Sequence, residues 1–250
     1  GLLPVTVAAP FLASSGTTTS YGLVYPPSVS PALNVLALSF FRFANGPAIP
    51  PDSDGASRYF IIGDGSIASV AERAWRIRGD ALGAIQGQTS PLVDVVVRDA
   101  MDRPITVGRS DESGVYRIGA PPGSYTVAAR ADGRTPGVPV PVTVADGQTV
   151  SANAPAGPAG AIAVTVRDVS NQPVPARVRV EAPGFARVDY AGSAGSVTVS
   201  VPPGTYDVSV SRGVEYDAYS AQNVSVGDDQ TVPLSAVLTR VVDTSGWISL

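Results

Sequence analysis

The sequence contains no cysteine, no histidine and no lysine, so all 17 of its basic residues are arginines. Without cysteine, disulfides, thiol nucleophiles and thiolate metal sites are excluded. Without histidine there is no Ser-His-Asp triad, no imidazole base and no imidazole metal ligand. Without lysine there is no Schiff base, no phosphate-binding lysine and no Lys–Asn isopeptide crosslink. Carboxylates, hydroxyls and arginines remain, and we predict no enzyme activity, no catalytic residue, no cofactor and no metal site in this chain.

Charge and hydropathy exclude two further classes of partner. The net charge of −4 gives no basic surface of the kind that nucleic-acid phosphates require. A membrane-spanning helix needs about 20 apolar residues in a row. The longest apolar stretch, residues 33–43, is interrupted by Asn34, Ser39 and Arg42. We therefore predict no nucleic-acid partner and no membrane span.

What the chain does have favours β-structure. Hydrophobic residues make up 44% of its 250 positions, alongside 26 glycines and 23 prolines. This composition is too apolar for disorder and too rich in turn formers for a helical bundle. Because β modules rich in Ser, Thr, Gly and Pro are typical of exported proteins, we predict an extracellular or cell-envelope location, in the periplasm or at the cell surface. The chain starts at Gly1 without an initiator Met, and we expect that a signal peptide or upstream domain has been removed.

An internal repeat divides the second part of the chain. Three blocks recur in the same order, which indicates two copies of one module. The first pair is 69 residues apart (164 − 95), the second 81 (202 − 121) and the third 82 (228 − 146). We therefore expect about a dozen extra residues, the size of a hairpin, within 177–196 of the second copy. The pairs are VVVRD (95–99) with VTVRD (164–168), PPGSYTV (121–127) with PPGTYDV (202–208), and DGQTV (146–150) with DDQTV (228–232).

The repeated blocks have the pattern of half-buried strands. Val164 and Val166 alternate with polar residues, as expected for a strand with one face in a core. Each Pro-Pro-Gly predicts a type II turn in which the glycine supplies a positive φ. Tyr125 and Tyr206 follow these turns, and we predict that both anchor a core.

One helix is predicted, from Ser66 to Arg78. Its apolar residues recur at helical spacing, Ser66 or Asp64 can cap its start, and Gly79 can end it. We expect it to pack one face on a sheet. The fold class predicted is all-β, with tandem β-sandwich modules and one connecting α-helix. The predicted domains are a β-rich domain, complete or partial, at 1–63, a helical connector at 64–82, sandwich modules at 83–156 and 157–238, and a C-terminal strand or linker at 239–250.

Few residues suggest a ligand. Short acidic turns contain oxygen ligands for Ca²⁺, but none has the longer pattern that a calcium loop requires, and turn formation explains them equally well. Arginines of the second copy suggest a basic strip for an anionic glycan or, alternatively, a solvated strand face. The acidic turns are Asp52–Gly55, Asp64, Asp111–Glu112 and Asp228–Asp229, the arginines are Arg177, Arg179 and Arg187, and a glycosylation sequon begins at Asn223.

The block from Ser110 to Val127 resembles the carboxypeptidase regulatory-like module. It has an acidic residue, Gly114, Tyr116, a Pro-Pro-Gly and Tyr125 at the spacing of that family's signature. The resemblance implies a prealbumin-like, seven-stranded β-sandwich with a binding, spacing or folding-support role. The second copy resembles the same module but lacks the acidic turn before its Pro-Pro-Gly.

Residues 211–216 and 238–247 resemble the segment that precedes the metal-dependent hydrolase domain of CehA/McbA-type proteins, within the PHP superfamily. In that family an Asp and a His-x-His motif follow the tryptophan strand, whereas this chain has no histidine. The resemblance implies a non-catalytic region that supports or positions a C-terminal hydrolase domain absent from this chain.

Three functional hypotheses follow. The first is this accessory region, whose partner is its own catalytic domain. The second is a self-assembling fibre or adhesive subunit of the cell surface, which contacts neighbouring subunits through strand edges. The third is a carbohydrate-binding module that stacks a glycan on Tyr190, Tyr216 or Tyr219.

Overall fold

The structure, a computed structural model, describes residues 6–8, 11–24, 31–36, 38–43, 59–244 and 246. These residues contain 20 β-strands and a single α-helix, so the predicted all-β class with one helix is confirmed. The chain divides into two compact units, the first formed by residues 1–129 and 138–155 and the second by residues 130–137 and 156–250. Residues 52–55, the first of the predicted acidic turns, lie outside the described residues.

The N-terminal region contains two small antiparallel sheets. One has the strand order β1-β4-β5 and the other β2-β3-β6. In the second sheet Gly22 and Val24 of β3 and Ile61 of β6 are buried, whereas their alternate neighbours face outward. The strands are β1 (Thr6–Ala8), β2 (Phe11–Ser14), β3 (Ser20–Val24), β4 (Pro31–Leu36), β5 (Leu38–Phe43) and β6 (Tyr59–Gly63).

Helix α1 (Ile67–Arg78) begins and ends where the sequence predicts. Ser66 is the N-cap, and its Oγ accepts a hydrogen bond from the backbone N–H of Ser69 at 3.2 Å. Gly79 ends the helix in the left-handed conformation, with φ of 78°, and its N–H donates to the carbonyl of Arg76. Glycine adopts this φ without the steric cost that a Cβ would bring.

The helix is buried on two sides, and the expectation that only one face packs on a sheet is wrong. Val70 and Ala74 join Val24 and Ile61 in the N-terminal core. On the other side Ala68 joins the core of the first sandwich. Small side chains make this possible, because a row of alanines lets two layers approach the same helix.

The first sandwich has seven strands in two sheets. Their orders are β10-β7-β13 and β12-β11-β8-β9, with β7 and β13 parallel. The strands are β7 (Gly83–Gln88), β8 (Asp94–Asp99), β9 (Pro104–Arg109), β10 (Val115–Ala120), β11 (Gly123–Arg130), β12 (Val140–Val144) and β13 (Thr149–Ser151).

The second sandwich repeats this topology strand for strand. Its sheets have the orders β17-β14-β20 and β16-β15-β18-β19, again with the first and last strands parallel. The strands are β14 (Gly160–Asp168), β15 (Ala176–Ala182), β16 (Phe185–Ala191), β17 (Ser196–Val201), β18 (Gly204–Ser211), β19 (Ala218–Val226) and β20 (Thr231–Leu238).

Equivalent strands of the two sandwiches lie at a nearly constant spacing. β8 and β15 begin 82 residues apart (176 − 94), and β11 and β18 begin 81 apart (204 − 123). The expected insertion of a hairpin within 177–196 is therefore wrong. It arose because VVVRD lies in β8, the second strand of its sandwich, whereas VTVRD lies in β14, the first strand of the other.

The cores of the two sandwiches are rich in valine. In β14, Ile162, Val164 and Val166 are almost fully buried, and Val178 and Val180 of β15 face them. Burying a valine side chain contributes roughly 1.5 to 3 kcal/mol relative to exposure. Tyr206 lies in the second core with 4% of its surface exposed, and Tyr125 packs against the first core. The prediction that both tyrosines anchor cores is confirmed.

Each Pro-Pro pair carries the chain from one sheet of a sandwich to the other. Pro121 and Pro122 alone separate β10 from β11. The Tyr125 hydroxyl donates a hydrogen bond to the Pro121 carbonyl at 2.9 Å, and the Tyr206 hydroxyl donates to the Pro202 carbonyl at 2.5 Å. The tyrosine thus closes the corner two residues after the glycine.

The glycine of this corner serves a different purpose from the one predicted. Neither Gly123 nor Gly204 has a positive φ, so the predicted type II turn is wrong. A Cβ on Gly123 would lie 2.9 Å from the Tyr125 hydroxyl oxygen and 3.1 Å from Cζ. Gly123 is therefore required because the tyrosine ring passes over it.

Candidate functional site

The acidic residues that were candidate ligands close their own turns. Asp111 Oδ1 accepts hydrogen bonds from the backbone N–H and hydroxyl of Ser113 and from the N–H of Val115, at 2.8 to 2.9 Å. The bonds from Ser113, followed by that from Val115, hold the pKa of Asp111 below its ordinary value, although partial desolvation acts in the opposite direction. This oxygen stabilises the turn that connects β9 in one sheet to β10 in the other, and it is not free for a cation.

Asp64 acts at the start of α1. Its Oδ1 accepts hydrogen bonds from the N–H and the hydroxyl of Ser66, at 3.0 and 2.8 Å. Burial raises the pKa of Asp64, but hydrogen bonds from Ser66 and Ser69 together outweigh it and leave the pKa lowered. A carboxylate at a helix N-terminus is also favoured by the helix dipole.

A turn led by aspartate occurs in both sandwiches. Asp99 Oδ1 accepts from the N–H groups of Met101 and Arg103, and Asp168 Oδ1 accepts from those of Ser170 and Gln172, all at 2.8 to 3.0 Å. In each turn the residue three positions after the aspartate has a φ near 60°, as aspartate and asparagine tolerate. The turn connects β8 to β9 in one sandwich and β14 to β15 in the other.

The acids do not converge on one point. Asp228 and Asp229 lie in the exposed turn before β20, where the N–H of Asp229 donates to the carbonyl of Ala159. Within the part of the chain that the structure describes, no group of three or more acidic side chains is placed to hold a metal ion. Of the candidate acids, Asp64 and Asp111 are therefore turn formers.

The arginines of the second sandwich do not form a single strip. Arg177 and Arg179 are exposed on β15, whereas Arg187 of β16 pairs with Val180 and shares the face of the buried valines. Arg179 forms an ion pair with Glu181 at 2.6 Å, and Arg187 forms one with Asp189 at 2.8 Å. Two of the three charges are thus neutralised, and the solvated strand face is the reading that fits Arg179.

The three tyrosines proposed as a glycan platform lie in different surroundings. Tyr216 and Tyr219 pack against the core of the second sandwich, and the Arg212 guanidinium lies 5.1 Å from the Tyr216 ring centre. Only Tyr190, on the outer face of β16, is largely exposed, at 70%. The tyrosines therefore do not present one stacking surface. Asn223 of the sequon is exposed in β19.

Several edge strands of the sandwiches have features that disfavour pairing with another strand. Pro141 lies in the edge strand β12 and Pro233 in the edge strand β20. Proline cannot donate to a ladder, and on an edge it blocks strand addition. β19 is interrupted by a bulge opposite β18, where Asp207 Oδ1 accepts from the N–H of Asn223.

The edge strand β16 has a further device, which the sequence analysis missed. Arg187 and Asp189 occupy the inward face of the strand as an ion pair that is about one-third exposed. Charges that point inward from an edge disfavour pairing with another sheet. The signal was available, because both residues lie at alternate positions within an otherwise apolar strand.

One apolar surface is uncovered. On the outer face of the sheet β2-β3-β6, Tyr21 pairs with Ile62 across the strands, and the rings of Tyr21 and Phe60 stack with centres 5.9 Å apart. Phe60 is 66% exposed and Ile62 is 56% exposed. This face, called here the aromatic face, is the largest exposed apolar feature that the N-terminal sheet presents among its described residues.

The strand order and the corner motif of the first sandwich agree with a match to a known protein family. Residues 76–156 match the carboxypeptidase regulatory-like domain family. The match covers the end of α1 and the first sandwich, so the resemblance predicted for this copy is confirmed. The second sandwich has the same strand order but lies outside the matched residues. The resemblance of residues 211–216 and 238–247 to CehA/McbA-type proteins stays a prediction. No curated protein matches the chain.

Three solved structures illustrate the weak similarity of the chain to known folds. The Bacillus anthracis TIE protein has 12% identity and a TM-score of 0.30 over 94% of this chain, which spans about half (48%) of that protein. The shaft pilin SpaA of Lactobacillus rhamnosus GG has 6% identity and a TM-score of 0.39, with 65% of this chain and 98% of that one covered. GBS52, the minor pilin of Streptococcus agalactiae, has 10% identity and a TM-score of 0.34, with coverage of 67% and 100%. Similarities of this size do not assign a function.

The described part of the chain has no helix with the length and apolarity needed to cross a membrane.

Proposed function

We propose that this chain is a non-catalytic structural region of an exported protein of the cell envelope, in which the two sandwiches support or separate other parts of the polypeptide. The observation that carries this proposal is that both sandwiches devote their distinctive side chains to their own closure. Tyr125 and Tyr206 close corners, and Asp99 and Asp168 close turns. None of these groups is left to bind a ligand.

The edge devices support the same function. A module that is repeated along a chain must not pair with its neighbours through open edges, and Pro141, Pro233 and the inward Arg187–Asp189 pair reduce that risk. The partner of such a region is a domain of the same polypeptide. A metal-dependent hydrolase domain after Leu250 is the partner implied by the resemblance of residues 211–216 and 238–247.

Replacement in the parent protein tests the proposal. Residues 157–238 are exchanged for an unrelated seven-stranded sandwich of similar size, and the activity or surface display of the parent protein is measured. A structural region tolerates the exchange, so we expect near-complete retention. A matched control keeps the native sandwich and carries Arg177→Ala with Tyr190→Ala, which should also retain function. Loss in both proteins would contradict the proposal and indicate a binding surface on β15 and β16.

A second candidate, self-assembly at the cell surface, is favoured by the aromatic face. Exposed apolar patches on soluble proteins often mark protein–protein contacts. Sedimentation velocity over a range of concentrations tests it, with Phe60→Ser expected to abolish association. Met101→Ser is the matched control, because Met101 is exposed at 75% in the turn between β8 and β9 and is not part of that face. A chain that stays monomeric at every concentration would contradict this candidate.

A further inference from the structure

The first and last strands of the second sandwich form a long parallel ladder. β14 pairs with β20 in unbroken register from Ala161 opposite Thr231 to Asp168 opposite Leu238, eight residues on each strand. The N–H of Ala161 also donates to the carbonyl of Gln230 at 2.8 Å. The chain therefore enters the sandwich on one strand of this ladder and leaves it on the other.

The parallel direction decides how the ladder responds to tension. The chain enters β14 at the end of the ladder marked by Ala161 and leaves β20 at the end marked by Leu238. A pull on the two ends of the chain slides one strand along the other, so all inter-strand hydrogen bonds carry the load together. A pull applied to both strands at the same end would instead separate the bonds one after another. Forced unfolding is governed by the unfolding rate constant.

The point where the chain leaves β20 is anchored as well. The N–H groups of Val241 and Val242 donate to the carbonyl of Glu215, at 2.8 and 3.2 Å. The N–H of Thr239 donates to Asp217 Oδ1 at 2.7 Å. These bonds hold residues 239–242 beside the sandwich, at the end of the ladder where the chain leaves β20.

The corresponding ladder of the first sandwich is shorter and less regular. β7 and β13 pair in register over three residues, and three further backbone bonds continue the contact, from Ala84 to Gln148, from Ala152 to Gln86 and from Ala154 to Gln88. At one rung the N–H of Gln88 donates to the side chain of Asn153. The carbonyl of Ala152 accepts from the Tyr116 hydroxyl.

We propose that the second sandwich is a mechanical clamp, that is, a domain whose parallel ladder resists stretching force. The first sandwich unfolds before it when the chain is stretched from its ends. This inference rests on the proposed structural function, because tension reaches the sandwiches only if they connect other parts of the polypeptide. It adds a specific property to that function. The two sandwiches share one topology but differ in the force that they withstand.

Pulling in two directions tests the clamp. The chain has no cysteine, so introduced cysteines give unique attachment points for single-molecule force spectroscopy of the whole protein. Pro158→Cys with Val241→Cys loads the ladder in shear. Pro158→Cys with Asp228→Cys, the matched control, pulls both strands from the same end. We expect the unfolding force to drop several-fold in the second geometry, and equal forces in the two geometries would overturn the clamp.

Disulfide staples test the order of unfolding. With the protein pulled from its ends, an oxidised Thr165→Cys/Ser235→Cys pair joins positions opposite each other in β14 and β20. It should remove the unfolding event at the highest force. The matched pair Gln86→Cys/Ser151→Cys joins β7 to β13 and should remove an event at lower force. The reverse assignment would overturn the proposed order.

These outcomes are distinguishable from failure of the proposed function. If the forces show no dependence on direction, the sandwiches can still be tolerant structural modules in the replacement experiment. If that replacement fails, the mechanical difference between the sandwiches stands on its own measurement.

Discussion

The two sandwiches have the same seven-stranded topology, but they are closed by different side chains. Tyr116, the second residue of β10, reaches over Gly87 of β7 and donates its hydroxyl to the carbonyl of Ala152. The second residue of β17 is Val197, which only packs against the core. One sandwich therefore depends on a buried polar contact where the other depends on apolar packing alone.

The same pair of strands is also covered differently. In the first unit, a Cβ on Gly119 of β10 would meet the side chain of Glu72 from α1 at 2.6 Å. In the second unit the equivalent residue is Ser200 of β17, and Gly133 lies against it, with room for no Cβ. The two sandwiches share the valine pattern and the Pro-Pro corners that fix the topology. The segment packed over β10 contains Glu72 and the one packed over β17 contains Gly133, so this covering segment is interchangeable.

Gly87→Ala is expected to have the largest effect of these substitutions and to destabilise only the first of the two sandwiches. A Cβ on Gly87 would lie 1.7 Å from the carbonyl oxygen of Ala152, which cannot move without losing the Tyr116 hydrogen bond. We expect the first sandwich to lose about 3 kcal/mol or more and the second to be unchanged. Hydrogen-exchange mass spectrometry reports on each sandwich separately. Gly192→Ala, where a Cβ meets open space, is the control, and equal loss of protection in both variants would contradict the reasoning.

Tyr116 should make the first sandwich sensitive to alkali. Burial raises the pKa of Tyr116 to about 12, above its value of about 10 in an unfolded chain. The neutral form is thus favoured by folding, so this contribution to stability is complete below about pH 10 and is lost as the pH rises through about 12. Chemical denaturation of the wild type should show this loss. Tyr116→Phe should reduce the loss and lower stability at neutral pH, while Tyr125 and Tyr206, whose pKa values burial also raises, retain their part of it. An alkaline loss of unchanged size in Tyr116→Phe would place its origin elsewhere.

The corner tyrosines allow a like-for-like comparison. Tyr206→Phe and Tyr125→Phe each remove one hydrogen bond to a proline carbonyl, which costs about 1 kcal/mol. We expect Tyr206→Phe to cost more, because Tyr206 is the more deeply buried of the two tyrosines. Urea denaturation curves measure both. An equal or reversed order would mean that the hydrogen bond, and not its burial, sets the cost.

Asp99→Asn should give the smallest effect. The hydrogen bond from the Arg103 side chain, more than any other contact, lowers the pKa of Asp99. The charged form is favoured by folding, so this stabilisation is present above the unfolded pKa and is lost as the pH falls through the lower, folded value. The free energy of unfolding of Asp99→Asn should therefore be slightly lower than that of the wild type at neutral pH. It should also fall less steeply as the pH is lowered in an acid denaturation experiment. The exposed Asp146, in the turn before β13, is the control, and Asp146→Asn should leave the acid transition in place.

The sequence predicts those parts of the fold that depend on local pattern. The alternation of Val164 and Val166 predicted strands because a half-buried strand repeats every two residues. Ser66 and Gly79 predicted the limits of α1 because capping is decided within one turn. Both are short-range properties, and sequence reports them directly.

The errors concern features set by tertiary contacts. Gly123 was assigned a positive φ because Pro-Gly commonly forms a type II turn, but the ring of Tyr125 is what requires a glycine there. Arg187 was grouped with Arg177 by proximity in sequence, although pairing with Val180 places it on the opposite face. Register between strands decides such assignments, and it is not visible within one strand.

The sequence predicts the nature of the candidate ligand sites only in part. The turns around Asp64 and Asp111 were recognisable as turns, but the number of oxygen lone pairs already engaged by Ser66, Ser113 and Val115 depends on the folded geometry. The edge devices were also visible as Pro141 and Pro233. Their meaning depends on which strands are edges, which follows from the topology.

The aspartate-led turn has a consequence for how such proteins diversify. It closes the link between β8 and β9 in one sandwich and that between β14 and β15 in the other, with the same hydrogen bonds in each place. A connection that needs only its own five residues is independent of the sheets it joins. Such turns can be moved, lengthened or replaced while the valine core stays the same, so the surface of the protein can change much faster than its interior.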